Sequence, residues 1–213
     1  MAKAIIFDLD GVIVDSMPLH HEAYKQIFEQ FGITLDDQTF QKEFAGMKAE
    51  EIFNTFLDRD DLDYTKVADE REHKLIELTK RGLMPIPGIL KLLALVSERY
   101  VLAVGSGARP AFVDMVLSAL KIKHHFSAVV TSYAVAQGKP APDVFLKCAE
   151  EMGVDPKDCV VIEDGISGMI ASRSANMKSI GLLRDTTEDP SLYPATCVVH
   201  DLSEITVKLI EDL

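Results

Sequence analysis

The chain has 213 residues, of which 47% are hydrophobic and 26% charged, ordinary values that exclude a disordered or fibrous protein and suit one sizeable domain carrying an insert. Its formal charge of −12 repels nucleic acid and anionic lipid over the surface as a whole, although a local cation can still admit a small anion inside a cleft. No stretch reaches the roughly 18 consecutive apolar residues of a membrane span, and the N-terminus lacks the basic region and long apolar segment of a secretory signal. Cys148, Cys159 and Cys197 are few and lack metal-ligand spacing. The expectation is a cytoplasmic protein with reduced thiols and neither a nucleic-acid nor a membrane partner.

Taken in order, residues 4–7 form a short, branched apolar run that reads as a buried strand and delivers Asp8 and Asp10 at its end. In extended backbone residues two apart share a side, so both carboxylates are expected to face one crevice, with Gly11 allowing a sharp turn. From Ser16 to about Lys80 the pattern is helical. Tyr24, Ile27, Phe28 and Phe31 mark one helix stopped at Gly32; Gly46, Ile52, Phe53 and Phe56 mark another; 64–79 is a third, with Val67, Leu75, Ile76 and Leu78 as its apolar positions.

From Pro85 onward helices and strands alternate. Helices are predicted through Ile89 to Val96 and at 110–120, 142–152, 165–175 and 202–210; strands at 100–104, 128–131, 159–162, 179–183 and 196–199. Such alternation predicts an α/β fold, a doubly wound parallel sheet of Rossmann-like design with helices on both faces and its crevice at the carboxyl ends of the strands. The core is predicted from 1–15 and 84–213, with an all-helical domain inserted at 16–83.

Three further strand ends carry candidate chemistry. Ser106 and Gly107 lie before a helix with Pro110 near its first position, so free backbone N–H groups suit a phosphate; an ordinary helix cap by Ser106 is the alternative. Lys139 stands between Gly138 and the stiffening Pro140 and Pro142, placed either as a point charge for an anion or as a solvated lysine. Glu163 and Asp164 follow a buried strand. With Asp8 and Asp10 their oxygens suit a hard cation such as Mg²⁺, unless Asp164 merely caps the next helix.

In this order, Asp8-Leu9-Asp10-Gly11, Ser106, Lys139-Pro140 and Glu163-Asp164 resemble the four motifs of the haloacid dehalogenase superfamily, over essentially the whole chain. Asp15-Ser16, His20 and Gly-Lys-Pro-x-Pro-Asp are similar to the beta-phosphoglucomutase-like branch, which has a helical cap inserted after the first strand. The resemblance implies a Mg²⁺-dependent phosphatase, acting as a monomer on a small phosphorylated metabolite, first of all a sugar phosphate. Asp8 would be the nucleophile that forms an aspartyl-phosphate and Asp10 the acid and base. Mg²⁺ would be held by Asp8, the Asp10 carbonyl and Asp164, with Glu163 in support. Ser106, the Gly107 amide and Lys139 would hold phosphate oxygens, and the helical insert would act as a lid. Ser16, His20, Lys48 and Arg109 would contact substrate or serve the cap. Related mutases carry an arginine three residues after the glycine matching Gly46, where this chain has Ala49 beside Lys48. A lysine does not reproduce a bidentate clamp, which favours hydrolysis over the alternative, a phosphomutase.

Overall fold

In the computed structural model, which describes residues 2–36, 39–40, 44 and 47–213, the first apolar run is strand β1 (Ala4–Phe7), buried at every position. It is followed by β2 (Val101–Ser106), β3 (Ala128–Thr131), β4 (Cys159–Glu163), β5 (Lys178–Leu182) and β6 (Cys197–Val199). These pair in parallel in the order β3-β2-β1-β4-β5-β6. β1 is therefore central, with Phe7 level with Val104 of β2 on one side and Ile162 of β4 on the other. Strand addition reverses direction at β1, and in open parallel sheets a ligand crevice lies at such a switch point.

Helices α4 (Ile89–Val96), α5 (Pro110–Ala119), α6 (Asp143–Met152), α7 (Ile166–Ser174) and α8 (Val207–Glu211) belong to the same unit. Ile6, Ala103, Val130 and Val161 pack with Phe145 and Cys148 of α6 and Ala171 of α7. Phe7, of opposite parity to Ile6, meets Phe126 edge-on with ring centroids 6.0 Å apart. Cover on both faces explains why these strands read as continuous apolar runs rather than as alternating ones.

The sheet unit differs from expectation in two places. β2 extends past the predicted 100–104 because Gly105 and Ser106 stay in register with Val130 and Thr131, so Ser106 is itself a strand residue. The helix expected at 202–210 is split into a 3₁₀ turn, Leu202–Glu204, and α8. Asp201 accepts the Ser203 N–H and Thr206 accepts the Leu209 N–H, so each segment starts on its own cap and one continuous helix is not formed.

By its internal contacts the chain divides into two compact units, 1–15 with 85–213, and 16–84. The second contains α1 (Met17–Gln30), α2 (Ala49–Leu57) and α3 (Tyr64–Gly82), with α1 and α2 both packed on α3. Its core is aromatic: Tyr24 and Phe28 of α1 meet Phe53 of α2 at 5.5 and 5.3 Å between ring centroids. The Asp63 carboxylate accepts the N–H groups of Thr65 and Lys66 and so starts α3. Gly46 lies outside the described residues. No described helix is long and apolar enough to cross a membrane.

Candidate active site

The site is assembled at the end of β1. Pairing with β4 continues one residue beyond the strand, the Asp8 N–H donating to the Ile162 carbonyl at 2.9 Å, and this fixes the start of the Asp8 side chain. The following loop closes on itself: the Ile13 and Val14 N–H groups both reach the Leu9 carbonyl, and the Gly11 N–H reaches that of Val14 at 2.8 Å. Gly11 has φ +80°, and a Cβ there would stand 1.7 Å from Asp164 Oδ2, so both the turn and the close approach of the Asp164 carboxylate require glycine.

Asp8, Glu163 and Asp164 each offer a carboxylate oxygen, and these three atoms lie within 4.8 Å of one another. Lys139 joins them: its Nζ donates to Asp8 Oδ1 at 2.6 Å and to Glu163 Oε1 at 2.8 Å, with its side chain only 9% exposed. The solvated alternative for this lysine is thereby ruled out. Burial works against the Lys139 ammonium, but Asp8 and then Glu163 outweigh it and raise its pKa.

The carboxylates experience the reverse. Burial, opposed by Lys139 and reinforced by Glu163 and Asp10, pushes Asp8 up to about 7. Burial, then Glu163 and Asp8, also raise Asp164 well above the ordinary carboxylate range. Asp10 is outside the group of three but close enough for its charge to act on both.

Glu163 has a different position from its two neighbours. Oε1 is taken by Lys139, and Oε2 accepts the Gly165 N–H at 2.5 Å. Asp164, by contrast, forms no hydrogen bond or ion pair with a described residue. It does not cap α7 either, since the N-cap is Gly165 and no side chain bonds the helix start. Asp8 and Glu163 therefore share one ammonium while Asp164 is paired with no described residue, and the donor set is all oxygen. Those residues fit a hard divalent cation, which would neutralise the excess charge; Asp8 and Asp164 would be its ligands, with Glu163 held back as support.

Ser106 is fully buried, and its hydroxyl accepts the Ala108 N–H at 3.0 Å, ahead of α5 rather than within it, so it does not serve as that helix's cap. Gly107, next along, is exposed at the strand end. Arg109 occupies the N-cap position of α5, where its Nε donates to the Tyr133 hydroxyl at 3.3 Å and its guanidinium lies over that ring. Ser16, His20 and Lys48 belong to the helical unit. Ser16 is buried at the start of α1 with its carbonyl accepting the His20 N–H, and the Lys48 N–H donates to Glu51 at the start of α2.

Two residues escaped the sequence reading. Arg71, 6% exposed on α3, bonds His20 Nδ1 through its Nη2, approaches Glu72, and stacks over Tyr24 at 4.3 Å. It falls four residues from both Val67 and Leu75, so its place in that apolar stripe was a readable signal. Gly168 is the other. A Cβ there would come within 1.7 Å of Glu163 Oε1, so the open face of α7 at this glycine is what admits the glutamate. Gly168→Ala is expected to destabilise the protein by about 2 kcal/mol despite its gain in helix propensity, because Glu163 is anchored at both oxygens. Gly82→Ala is the control: nothing lies within 4 Å of a Cβ there, and a gain of about 0.5 kcal/mol is expected. Urea unfolding of the two variants measures both, and equal effects would remove the packing argument.

The family model described as haloacid dehalogenase-like hydrolase matches residues 5–182. The fructose-1-phosphate phosphatase YqaB of Escherichia coli (strain K12) is 34% identical, the match covering 83% of this chain and 94% of that protein. The beta-phosphoglucomutase of Bacillus subtilis (strain 168) is 33% identical, with 99% of this chain and 94% of that protein covered. A crystal structure of beta-phosphoglucomutase from Clostridium difficile matches with a TM-score of 0.86 at 27% identity, covering 100% of this chain and 96% of that one. With four motifs at four strand ends, a central β1 and these relatives in agreement, this chain is an enzyme and belongs to the haloacid dehalogenase-like hydrolase family.

Proposed function

We propose that the enzyme is a Mg²⁺-dependent phosphatase of small phosphomonoesters, sugar phosphates first, working through an aspartyl-phosphate on Asp8. The observation that carries this reading is the charge balance at the end of β1: a half-buried Asp164 with no hydrogen bond or ion pair to a described residue, beside Asp8 and Glu163, with Lys139 as the ammonium those two share. When bound, Mg²⁺ would supply charge neutralisation between the nucleophile and the phosphate.

The steps belong to the side chains. Lys139 orients Asp8 through Oδ1, leaving Oδ2 to attack phosphorus as the ester P–O bond breaks. Asp10 gives a proton to the departing oxygen, then takes one from the water that attacks the aspartyl-phosphate, which releases inorganic phosphate and restores Asp8. The Gly107 amide, the Ser106 hydroxyl and Lys139 hold the remaining phosphate oxygens as charge redistributes. The helical unit serves as the cap that selects the substrate, with Ser16, His20, Lys48 and, from the sheet unit, Arg109 as its contacts.

The beta-phosphoglucomutase relative supports a phosphomutase as the second reading. Ala49 with Lys48 beside it, in place of an arginine clamp, argues against it, whereas the buried Arg71 argues for a cation in the helical unit. Beta-glucose 1-phosphate with a catalytic amount of the bisphosphate separates the two, since only a mutase yields glucose 6-phosphate without net phosphate release.

A panel of phosphorylated metabolites assayed for phosphate release tests the main reading. Sugar phosphates are expected to be turned over with Mg²⁺ present, and chelation is expected to lower the rate by at least roughly 10³-fold, reversibly on adding Mg²⁺ back. Undiminished turnover in chelator would remove the cation from the proposal.

A further inference from the structure

Asp8 follows the end of β1, whereas at the opposite end of the parallel sheet, where β5 and β6 begin, there is a cavity of about 340 Å³. Arg173, Asn176, Lys178, Ser179 and Thr196 provide its polar lining, and no acidic residue takes part. In a chain of net charge −12 that is a local reversal of sign. Arg173 and Lys178 form no ion pair with a described residue.

The end of α7 does not need the arginine. The N–H groups of Ala175, Asn176 and Met177 already close it on the carbonyls of Ala171, Arg173 and Ser172. Asn176, in the left-handed region at φ 58°, then turns the chain into β5 and brings Lys178 and Ser179 to the cavity.

Ser179 is a second, independent sign. It is 2% exposed, and its N–H donates to Thr196 Oγ1 at 3.0 Å, but its own hydroxyl makes no hydrogen bond with a described residue. An acceptor inside the cavity that Ser179 lines would give this hydroxyl a partner.

We propose that this cavity is a second anion site, binding the phosphate group of a small molecule or free phosphate. Arg173 and Lys178 supply the charge, and the Ser179 hydroxyl and Asn176 amide donate hydrogen bonds. The site is independent of the acidic cluster and needs no divalent ion, which distinguishes it from the proposed catalytic reading.

Amide-resolved NMR titration of the full chain with inorganic phosphate, in chelator, tests it. Saturable shifts are expected at Lys178, Ser179 and Thr196, weakened at least tenfold in the Arg173→Gln/Lys178→Gln variant and several-fold in Ser179→Ala. The double variant changes only exposed side chains, so it keeps the test decisive if the buried Ser179→Ala fails to fold. A parallel titration with glycerol phosphate identifies the source: tighter binding than phosphate assigns the cavity to an ester, equal binding to the free ion. Shifts confined to amides near Gly107 and Lys139, or shifts at 178–196 that persist in the double variant, would overturn the assignment.

Discussion

Asp8→Asn is expected to lower phosphate release by roughly 10⁶-fold, the scale on which removal of a nucleophile acts, with no loss of folded stability in chelator. The first half follows from the carboxamide's inability to attack phosphorus, whereas Ser106, Gly107 and Lys139 can still bind the substrate's phosphate. The second half follows from electrostatics. Burial and like charges raise Asp8 from 3.8 to about 7, so the folded chain holds that proton more tightly than the unfolded one. The stabilisation this gives is full below pH 3.8 and is lost as pH rises through about 7, where Asp8 must ionise in place. Asn never ionises and keeps an oxygen for Lys139. Its unfolding midpoint at pH 8 should therefore equal or exceed that of the parent chain, the stability and activity effects having opposite signs. Burst-phase kinetics and urea unfolding at that pH measure the two halves; turnover retained within tenfold would sink the nucleophile assignment.

The sheet was legible because buried parallel strands announce themselves as apolar runs, and the carboxylates or small residues that follow β1, β2 and β4 then mark its functional edge. Asp8, Lys139, Glu163 and Asp164 come from three separate segments, yet each was singled out by the residues beside it. What the residues alone did not reveal was the division of labour among the acids. Glu163 and Asp164 are adjacent and chemically alike, but Glu163 receives two donors, Lys139 and the Gly165 N–H of the loop entering α7, whereas Asp164 receives none from a described residue. That outcome depends on backbone direction, which spacing does not encode. Ser106 shows the same limit, since only the extended register of β2 separates its hydroxyl from the start of α5. In the helical unit, Arg71 stands within an apolar stripe of α3, but its partners Tyr24 and His20 lie on α1, and spacing along α3 does not name them.

Lys139→Met should be the most destabilising single change at the site. The substitution keeps an apolar stem but removes the charge that lies 4.8 Å from the Phe145 ring centroid and is shared by Asp8 and Glu163, whose side chains are 9% and 4% exposed. Breaking a buried ion pair from one side costs about 3–5 kcal/mol, because the remaining carboxylates lose the cation that pairs with them. For a chain of this size that corresponds to a fall of about 10 °C in the unfolding midpoint. The loss should shrink as pH falls, since removing the ammonium that lowers the Asp8 pKa raises that carboxylate's affinity for a proton, and its protonation relieves the repulsion. Loss of a donor to the transferring phosphate should also lower kcat by roughly 10²–10³-fold. Combining Lys139→Met with Asp8→Asn separates charge from packing. If repulsion among the acids is the cause, the double variant should recover about 1–3 kcal/mol relative to the sum of the single changes, whereas additive effects would show that Lys139 acts through its stem alone.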